Sequence, residues 1–302
     1  MAREQFNLMM LSLGIMIVVF IVVISIYLYV LVRFRKRKGQ QGIPKQVEGS
    51  HVLELIWTVI PILLLLVLAV PTVTTTFHLA KDYKSEKDAV KVKVTAHQFW
   101  WEFDYPDYGI KTAQDLVIPA GKKIAFELTS ADIVHSFWVP SLAGKVDTTP
   151  GRINKLYLSA DPDQIDKVFR GKCAELCGAS HALMDFKVKT LSDADFQKWT
   201  SDMKAPKTVA ADAKAGEELF KNKCLQCHAV TPDGAGLGPN LNGFAHREMV
   251  AGVLDRKNGN NDESIKTWIK DPQAVKPGNS MPQLGLNDSQ INDLVKYLNT
   301  LK

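Results

Sequence analysis

Two long apolar runs dominate the first 77 residues. Residues 8–32 carry no charge, and residues 52–77 are interrupted by Glu54, Pro61 and Pro71. At about 1.5 Å per residue, either run can cross a hydrocarbon core of roughly 30 Å. The pattern predicts a hairpin of two transmembrane helices. A cleaved signal peptide is the alternative for the first run, but a basic cluster follows it instead of a small-residue cleavage site.

The segment between the two runs is basic. It contains Arg33, Arg35, Lys36, Arg37, Lys38 and Lys45. Basic loops stay in the cytoplasm, so everything after Thr76 is predicted to be extracytoplasmic. Glu54 lies near the cytoplasmic end of the second helix, where a carboxylate is costly unless it faces protein or water. It is therefore a functional candidate, with a side chain that snorkels to the interface as the alternative.

From residue 90 the pattern changes to short runs of alternating or β-branched apolar residues. Turn signals such as Pro119-Ala120-Gly121 separate them. This spacing predicts a β-sandwich with strands at 90–103, 114–118, 123–129, 136–139, 155–158 and 186–190.

The last third of the chain has a helical period. Helices are predicted at 215–222, 248–254, 263–270 and 289–301, the last with Asn287 or Asp288 as its N-cap. Residues 200–213 show no apolar periodicity, and this pattern predicts a linker. We therefore expect a membrane hairpin at 1–85, a sandwich at 86–199, a linker at 200–213 and a small all-helical domain at 214–302.

Composition changes this picture little. The 302 residues leave room for two or three domains, and the formal net charge is +5. Because much of this charge comes from the one basic cluster at 33–38, the sequence does not indicate nucleic-acid binding.

Four metal-ligand side chains fall within twelve residues, in Cys173-Ala-Glu-Leu-Cys177-Gly-Ala-Ser-His181-Ala-Leu-Met184. Thiolate, imidazole and thioether together favour an electron-transfer copper site over calcium, magnesium or structural zinc. A disulfide between the cysteines is the alternative, favoured by an oxidising exterior. His135, at a predicted strand edge of the same domain, is the candidate second imidazole. His97 lies in an aromatic strand and is interpreted as a hydrogen-bonded packing residue, and His51 and His78 flank a membrane helix as interfacial anchors.

The second cysteine pair stands in Cys224-Leu-Gln-Cys227-His228, the attachment signature of a c-type haem. The thiols would form thioethers and His228 would be the proximal iron ligand. A zinc or redox site is the alternative, but the small helical domain, with Gly216 and Phe220 in its first helix, favours haem.

The sixth iron ligand is predicted to be Met281, in a loop fixed by Pro277 and Pro282. Met249 and His246 are the competing candidates. Met249 lies in a predicted helix, where a core role is commoner for Met. The turn at 238–241 would lie beside the haem.

Together these stretches resemble subunit II of the haem–copper cytochrome c oxidases, most closely the caa3 type with a fused cytochrome c domain. The resemblance rests on ELIWTVIP at 54–61, HQFWW at 97–101, SADIVHSFWVP at 130–140, PGRIN at 150–154 and the stretch 173–184. It covers both helices and the whole β domain, and the haem motif extends it to the C-terminus.

The resemblance implies a cupredoxin-like fold, a class I cytochrome c domain and a dinuclear copper A centre. In this family Cys173 and Cys177 would bridge the coppers, His135 and His181 would each terminate one, and Met184 and the Glu175 carbonyl would be weak ligands. The Glu175 carboxylate would reach a magnesium ion shared with the catalytic subunit. Two further expectations are Glu54 at the mouth of a proton-uptake path and Trp100 and Trp101 on the electron path.

Two positions depart from the family pattern. Phe99 stands where many relatives that accept electrons from a separate cytochrome c carry Trp, so that route of electron donation is in doubt. Lys172 stands where Gln is common, which changes the charge beside Cys173 without changing ligation.

The implied function is an electron relay in an oxygen-reducing, proton-translocating oxidase of the bacterial cell membrane, with the copper and haem domains outside. Its partners would be the catalytic subunit I, other oxidase subunits, membrane lipid and an upstream donor, either cytochrome c or a quinol–cytochrome c reductase. A copper A subunit of a nitric oxide reductase and a membrane-anchored carrier without a dedicated enzyme are the alternatives.

Overall fold

The computed structural model describes residues 1–43, 45–81, 83, 86–256 and 261–302. The chain divides into two compact units, residues 1–81 and residues 82–302.

The first unit is a pair of long helices, α1 (Ala2–Arg33) and α2 (His51–Leu79). Both are long and apolar enough to cross a membrane, which confirms the predicted hairpin. The hydroxyls of Thr72 and Thr76 donate to carbonyls one turn earlier in α2, so these polar side chains leave no unpaired donor in an apolar helix.

The second unit begins with a β-sandwich of two five-stranded sheets. One sheet has the order β3-β2-β1-β5-β8, and the other has the order β4-β10-β9-β6-β7. In chain order the strands are β1 (Val90–His97), β2 (Trp100–Tyr105), β3 (Ile110–Ala113), β4 (Asp115–Pro119), β5 (Ile124–Ser130), β6 (His135–Trp138), β7 (Val146–Thr148), β8 (Asn154–Leu158), β9 (Val168–Cys173) and β10 (Asp185–Leu191).

Aromatic side chains fill the space between the sheets. The rings of Phe137 and Phe186 stack with centroids 4.9 Å apart, and Trp101 lies 5.6 Å from Phe137. Gly171 in β9 makes room for this cluster, because a Cβ there would overlap the ring of Phe186. These rings support the strand ends that carry the site.

The predicted sandwich is confirmed, but three of its strands were not predicted and one predicted strand was too long. The run 90–103 is two strands that pair antiparallel, not one. The unpredicted strands are β3, β7 and β9. In β9, Arg170 and Lys172 interrupt the apolar pattern, and both pair with Asp185 on β10.

A helix also escaped prediction, α3 (Asp193–Lys204), which packs on the sandwich. The Ser192 hydroxyl caps it by accepting a hydrogen bond from the Asp195 amide at 3.1 Å. The helix buries Phe196, Thr200 and Met203. Because it ends at Lys204, the segment predicted as a linker, 200–213, begins inside a helix.

The C-terminal domain contains α4 (Lys214–Lys223), α5 (Asn261–Lys270), α6 (Pro272–Val275) and α7 (Asp288–Leu298). Asn287 caps α7 in a capping box with Gln290. Helices α4 and α7 pack closely at Gly216, where a Cβ would overlap the Asp293 carbonyl. The small helical domain is therefore confirmed.

The predicted helix at 248–254 is wrong. The segment forms a hairpin of β11 (Met249–Val250) and β12 (Leu254–Asp255). Its turn places Ala251 and Gly252 in the left-handed region, with φ of 53° and 79°. Gly252 lies against the side chain of Gln114 in the sandwich, so a tertiary contact overrides the local helical period.

Candidate functional site

One loop, residues 173–184, carries most of the candidate ligands, and we call it the cysteine loop. Its ends are fixed because β9 and β10 pair antiparallel, with Lys172 opposite Asp185. The Sγ atoms of Cys173 and Cys177 lie 3.8 Å apart. Cys177 Sγ lies 3.5 Å from His181 Nδ1 and 3.8 Å from Met184 Sδ. The loop therefore brings four ligand side chains around one small space.

Two further groups complete the cluster. His135 begins β6, which pairs with β9, and its Nδ1 lies 3.9 Å from Cys173 Sγ. The carbonyl oxygen of Glu175 lies 3.2 Å from the same sulfur. The ligand atoms of His135, Cys173 and Cys177 are all within 4.8 Å of one another, and all three residues are buried.

The disulfide alternative does not describe this geometry. Both cysteines are free. Their 3.8 Å separation exceeds a disulfide bond of about 2.05 Å. Soft sulfur donors combined with imidazole nitrogens form a set that suits copper, so the residues present fit such a centre.

An acidic side chain orients the buried imidazole. The Asp132 Oδ1 atom lies 2.8 Å from His135 Nε2, which turns Nδ1 toward the thiols. The Gln98 amide donates to Asp132 Oδ2 at 2.6 Å, and its side-chain amide donates to the Cys177 carbonyl at 2.6 Å. The loop after β1 thus joins the two ligand-bearing segments.

Hydrogen bonds among these groups shift the pKa values of the two thiols and of His135. Sharing of one proton with Cys177 lowers the pKa of Cys173 and raises that of Cys177. Burial disfavours protonation of His135, but its contacts with Cys173 and Asp132 outweigh burial and raise its pKa. Sulfur and nitrogen here therefore compete for protons that a metal would displace.

Aromatic side chains enclose the cluster from the sandwich core. Trp101 is fully buried, with its ring centroid 6.2 Å from that of His135. Trp100 instead stacks on His97 at 4.0 Å. Burial lowers the pKa of His97 to about 4, and its Nε2 has no hydrogen-bond partner among the described residues. His97 therefore packs as predicted, without the predicted hydrogen bond at Nε2.

The outer side of the cysteine loop is exposed. Glu175 points away from the core, and Leu176 is 80% exposed. Lys172 forms an ion pair of 3.0 Å with Asp185, a carboxylate that also pairs with Arg170. The loop therefore carries an exposed carboxylate and an exposed leucine on its outer side.

The second candidate site starts at the end of α4. The amides of Cys227 and His228 both donate to the Cys224 carbonyl, which winds the motif into a tight turn. The Pro239 carbonyl lies 2.8 Å from His228 Nδ1, so Nδ1–H donates to it and Nε2 is left as the ligand atom. Burial lowers the pKa of His228, which favours the neutral imidazole that a metal ligand requires.

A glycine turn holds that imidazole in place. A Cβ at Gly238 would lie 2.8 Å from the His228 ring. The buried Arg247 donates to the Asn240 carbonyl and so fixes the same turn. The residues present fit a covalently held haem, because two free thiols directly precede an imidazole with fixed orientation.

The three candidate sixth ligands lie in different places. The Met281 amide donates to Asn279 Oδ1 at 2.8 Å, which fixes the loop that carries it. Met249 lines a cavity of about 430 Å³ together with Asp185 and Gly252, next to the sandwich. The His246 carbonyl accepts from Lys189 of the sandwich at 3.2 Å. Met249 therefore lies beside the sandwich, and the His246 backbone contacts it.

In the membrane unit, Glu54 occupies the first turn of α2. Its Oε2 lies 3.4 Å from His51 Nδ1, and its side chain is half exposed. His78 contacts Glu4 across the helix pair at 3.2 Å.

Three functional groups were missed from the sequence. Asp132 and Gln98 orient ligands of the cluster, and Arg247 supports the turn beside His228. The spacing of Asp132, three residues before His135, was the one available signal. Gln98 and Arg247 act through backbone carbonyls, for which a sequence carries no signature.

Comparisons with known proteins agree with this geometry. Residues 1–75 match the transmembrane domain of cytochrome c oxidase subunit II, residues 110–191 match its periplasmic domain and residues 213–302 match cytochrome c.

Whole-chain relatives extend the agreement. Cytochrome c oxidase subunit 2 of Bacillus sp. strain PS3 is 53% identical, over 100% of this chain and 89% of the relative. The protein of that name from Bacillus subtilis is 49% identical, over 88% of this chain and 79% of the relative. The one from Alkalihalophilus pseudofirmus is 47% identical, over 88% and 78%.

One chain thus carries, in this order, two apolar helices, the cluster of cysteine, histidine and methionine side chains, and the haem-attachment turn. This chain belongs to the family of cytochrome c oxidase subunit II, in the form with a copper A domain and a fused cytochrome c domain.

Proposed function

We propose that the clustered groups of the sandwich hold copper A and that the C-terminal domain holds one haem c through its cysteine–histidine motif. When bound, these centres supply one-electron carriers through which the chain passes electrons toward the oxidase subunit that reduces oxygen. The observation that carries the proposal is the convergence of six ligand groups within the cysteine loop and β6.

Each group has a separate role in the copper site. Cys173 and Cys177 would act as the bridging thiolates, because their sulfurs lie side by side at the centre of the cluster. His135 and His181 would be terminal ligands, one beside each sulfur. Met184 and the Glu175 carbonyl would be the weak ligands. Asp132 and Trp101 keep the first imidazole oriented and exclude water, which limits rearrangement when the charge changes.

In the C-terminal domain, Cys224 and Cys227 would form the thioethers, His228 would be the proximal ligand and Met281 would be the distal ligand. The bond from His228 Nδ1 to the Pro239 carbonyl supports the proximal role. The fixed loop that carries Met281, whose amide donates to Asn279 Oδ1, supports the distal role of Met281.

Subunit I of the haem–copper oxidase is the partner that family membership implies. We infer that it docks on the exposed side of the cysteine loop, where Leu176 and Glu175 are accessible. The Glu175 carboxylate would there share a magnesium ion with subunit I. Other oxidase subunits and lipid would surround α1 and α2, and cytochrome c or a quinol–cytochrome c reductase would supply electrons.

The proposed function divides the chain into four segments. We retain a membrane hairpin at 1–85, a copper domain at 86–199, a connection at 200–213 and a cytochrome domain at 214–302. The hairpin anchors the chain in the bacterial cell membrane, and the copper domain is periplasmic. Family membership favours this oxidase role over a nitric oxide reductase subunit or a carrier without a dedicated enzyme.

The copper assignment is tested with Cys173→Ser. We expect loss of copper and of the electron paramagnetic resonance signal of a mixed-valence pair, because a hydroxyl is a poor bridging ligand for copper. The haem spectrum of the same protein is the internal control and should be unchanged. A variant that retained both coppers and the paired signal would contradict the assignment.

Asp132→Asn tests the orientation of His135. We expect a roughly 10- to 100-fold loss of copper affinity, since partners of a ligating imidazole commonly have effects of this size. Titration with a competing chelator measures it, and Asp147→Asn, at an exposed position of β7, is the matched control. Equal affinities in the two variants would mean that Asp132 has no positioning role.

Met281→Ala tests the distal haem ligand. We expect a lower haem reduction potential and binding of external ligands, because Met raises the potential and closes the sixth position. Redox titration and optical spectra measure both effects, with Met249→Ala as the control. If Met249→Ala changed the spectrum and Met281→Ala did not, the distal assignment would be wrong.

Glu54→Gln tests the proposed proton-uptake role of Glu54. We expect slower turnover of the assembled oxidase with normal reduction of copper and haem, because the amide cannot carry a proton. Glu48→Gln, in the exposed segment before α2, is the control. Impaired copper reduction in Glu54→Gln would show that the role is misassigned.

A further inference from the structure

Strand pairing brings one carboxylate and two cations to the base of the cysteine loop. Asp185 directly follows Met184, and Lys172 directly precedes Cys173. Asp185 and Lys172 are opposite each other in the pair of β10 and β9, with Lys172 Nζ 3.0 Å from Asp185 Oδ1. Arg170 of β9 donates from Nε to Asp185 Oδ2 at 2.9 Å, and its Nη2 donates to the same oxygen. Two cations therefore share one carboxylate where the loop begins and ends.

These charges lie on the outer face of the sheet, one residue away from candidate ligands. Cys173 is 4% exposed and Met184 is fully buried, whereas the Lys172 side chain is 39% exposed. Successive side chains of a strand point to opposite faces, so only the thickness of the sheet separates the charges from the ligands. Backbone dimensions put the Asp185 carboxylate on the order of 8 Å from the sulfur of Cys173.

The Asp185 carboxylate is largely shielded from water. Its side chain is 13% exposed, and charges in such a place are screened less than charges on an open surface. The buried Lys276 lies in the same electrostatic environment. Burial lowers the pKa of Lys276 to about 7, and the negative charges of Asp185 and Cys177 oppose this shift. Asp185 and a thiol of the cysteine loop therefore act on one and the same buried cation.

The neighbouring lysines of β10 have carboxylate partners of their own. Lys187 pairs with Glu248 at 3.7 Å, and Lys189 pairs with Asp115 at 2.7 Å. Among the ion pairs of the described residues, Asp185 is the partner of both cations of β9. Loss of its charge would therefore leave the cations of β9 uncompensated beside the cysteine loop.

We propose that Asp185 is a counter-charge that sets the reduction potential of the copper centre, and that Lys172 shifts this potential in the opposite direction. The inference rests on the proposed function and adds the residues that tune it. Reduction adds one electron and lowers the positive charge of the centre by one. A nearby carboxylate disfavours this change, and a nearby ammonium group favours it. Lys172 thus favours arrival of the electron, and Asp185 favours its onward transfer.

Asp185→Asn tests the counter-charge, because the amide keeps the shape of the side chain and removes its charge. In the assembled oxidase with haem and copper bound, we expect a higher potential of the copper centre. At a fixed applied potential, the ratio of reduced to oxidised copper should rise about two- to thirtyfold, the range for one charge at roughly 8 Å. Redox titration measures the ratio. The paired electron paramagnetic resonance signal should remain, because no ligand changes.

Lys172→Gln tests the opposite charge. We expect a lower potential and a ratio that falls by a smaller factor than the rise in Asp185→Asn, because Lys172 is more exposed. Both substitutions break the same ion pair, so a role confined to holding β9 and β10 together would move the potential in the same direction in both. Shifts of opposite sign are therefore the signature of an electrostatic role.

The matched controls are Asp202→Asn and Lys198→Gln, which break an exposed ion pair of 2.6 Å within α3. Both should leave the potential unchanged. Asp185→Glu restores the carboxylate and should bring the potential back toward that of the unsubstituted protein. Shifts of the same sign in Asp185→Asn and Lys172→Gln, or shifts no larger than those of the controls, would overturn the proposal.

Two other results remain decisive. If Asp185→Asn lost its copper, Lys172→Gln would decide, since a lower potential supports the proposal and an unchanged potential overturns it. If the unsubstituted protein gave no paired copper signal, the proposed function itself would fail. With that signal present and no shifts of opposite sign, the counter-charge proposal alone fails.

Discussion

The structure of the site depends on two sulfur atoms held 3.8 Å apart on one short loop. Two thiolates at this distance repel each other, so a proton or a bound metal is needed to hold them together. The loop can hold this arrangement because its two ends leave adjacent antiparallel strands, β9 and β10. Imidazole, thioether and carbonyl donors then approach from the same loop and from β6.

The sandwich holds the cysteine loop and His135 in this arrangement. Trp101 is buried beneath the cluster, and Asp132 and Gln98 fix the histidine and the loop backbone through hydrogen bonds. A site prepared in this way needs little movement when an electron arrives or leaves. The C-terminal domain contacts the same loop, where the Ser180 hydroxyl donates to the Pro277 carbonyl.

The sequence predicts the elements that have strong local signals. The uninterrupted apolar runs predicted both membrane helices, and ligand spacing within twelve residues predicted the cysteine loop. His135, far from that loop in sequence, was found because a strand edge and the resemblance both indicated it. These features depend on local pattern or on residue chemistry that is rare elsewhere.

Features that depend on tertiary contacts could not be predicted from the sequence. The hairpin at 249–255 has a helical period, but Ala251 and Gly252 turn to meet the sandwich. Strand β9 looks polar because Arg170 and Lys172 pair with Asp185 across the sheet. The contact of Gly278 with Phe99 joins residues about 180 positions apart, and no local pattern marks it.

A metal analysis of the purified, unsubstituted chain, combined with its electron paramagnetic resonance spectrum, is the most direct test of the copper and haem sites. We predict two coppers and one haem iron per chain, with one unpaired electron shared equally by both copper nuclei. A single copper per chain, or an electron localised on one copper nucleus, would contradict it.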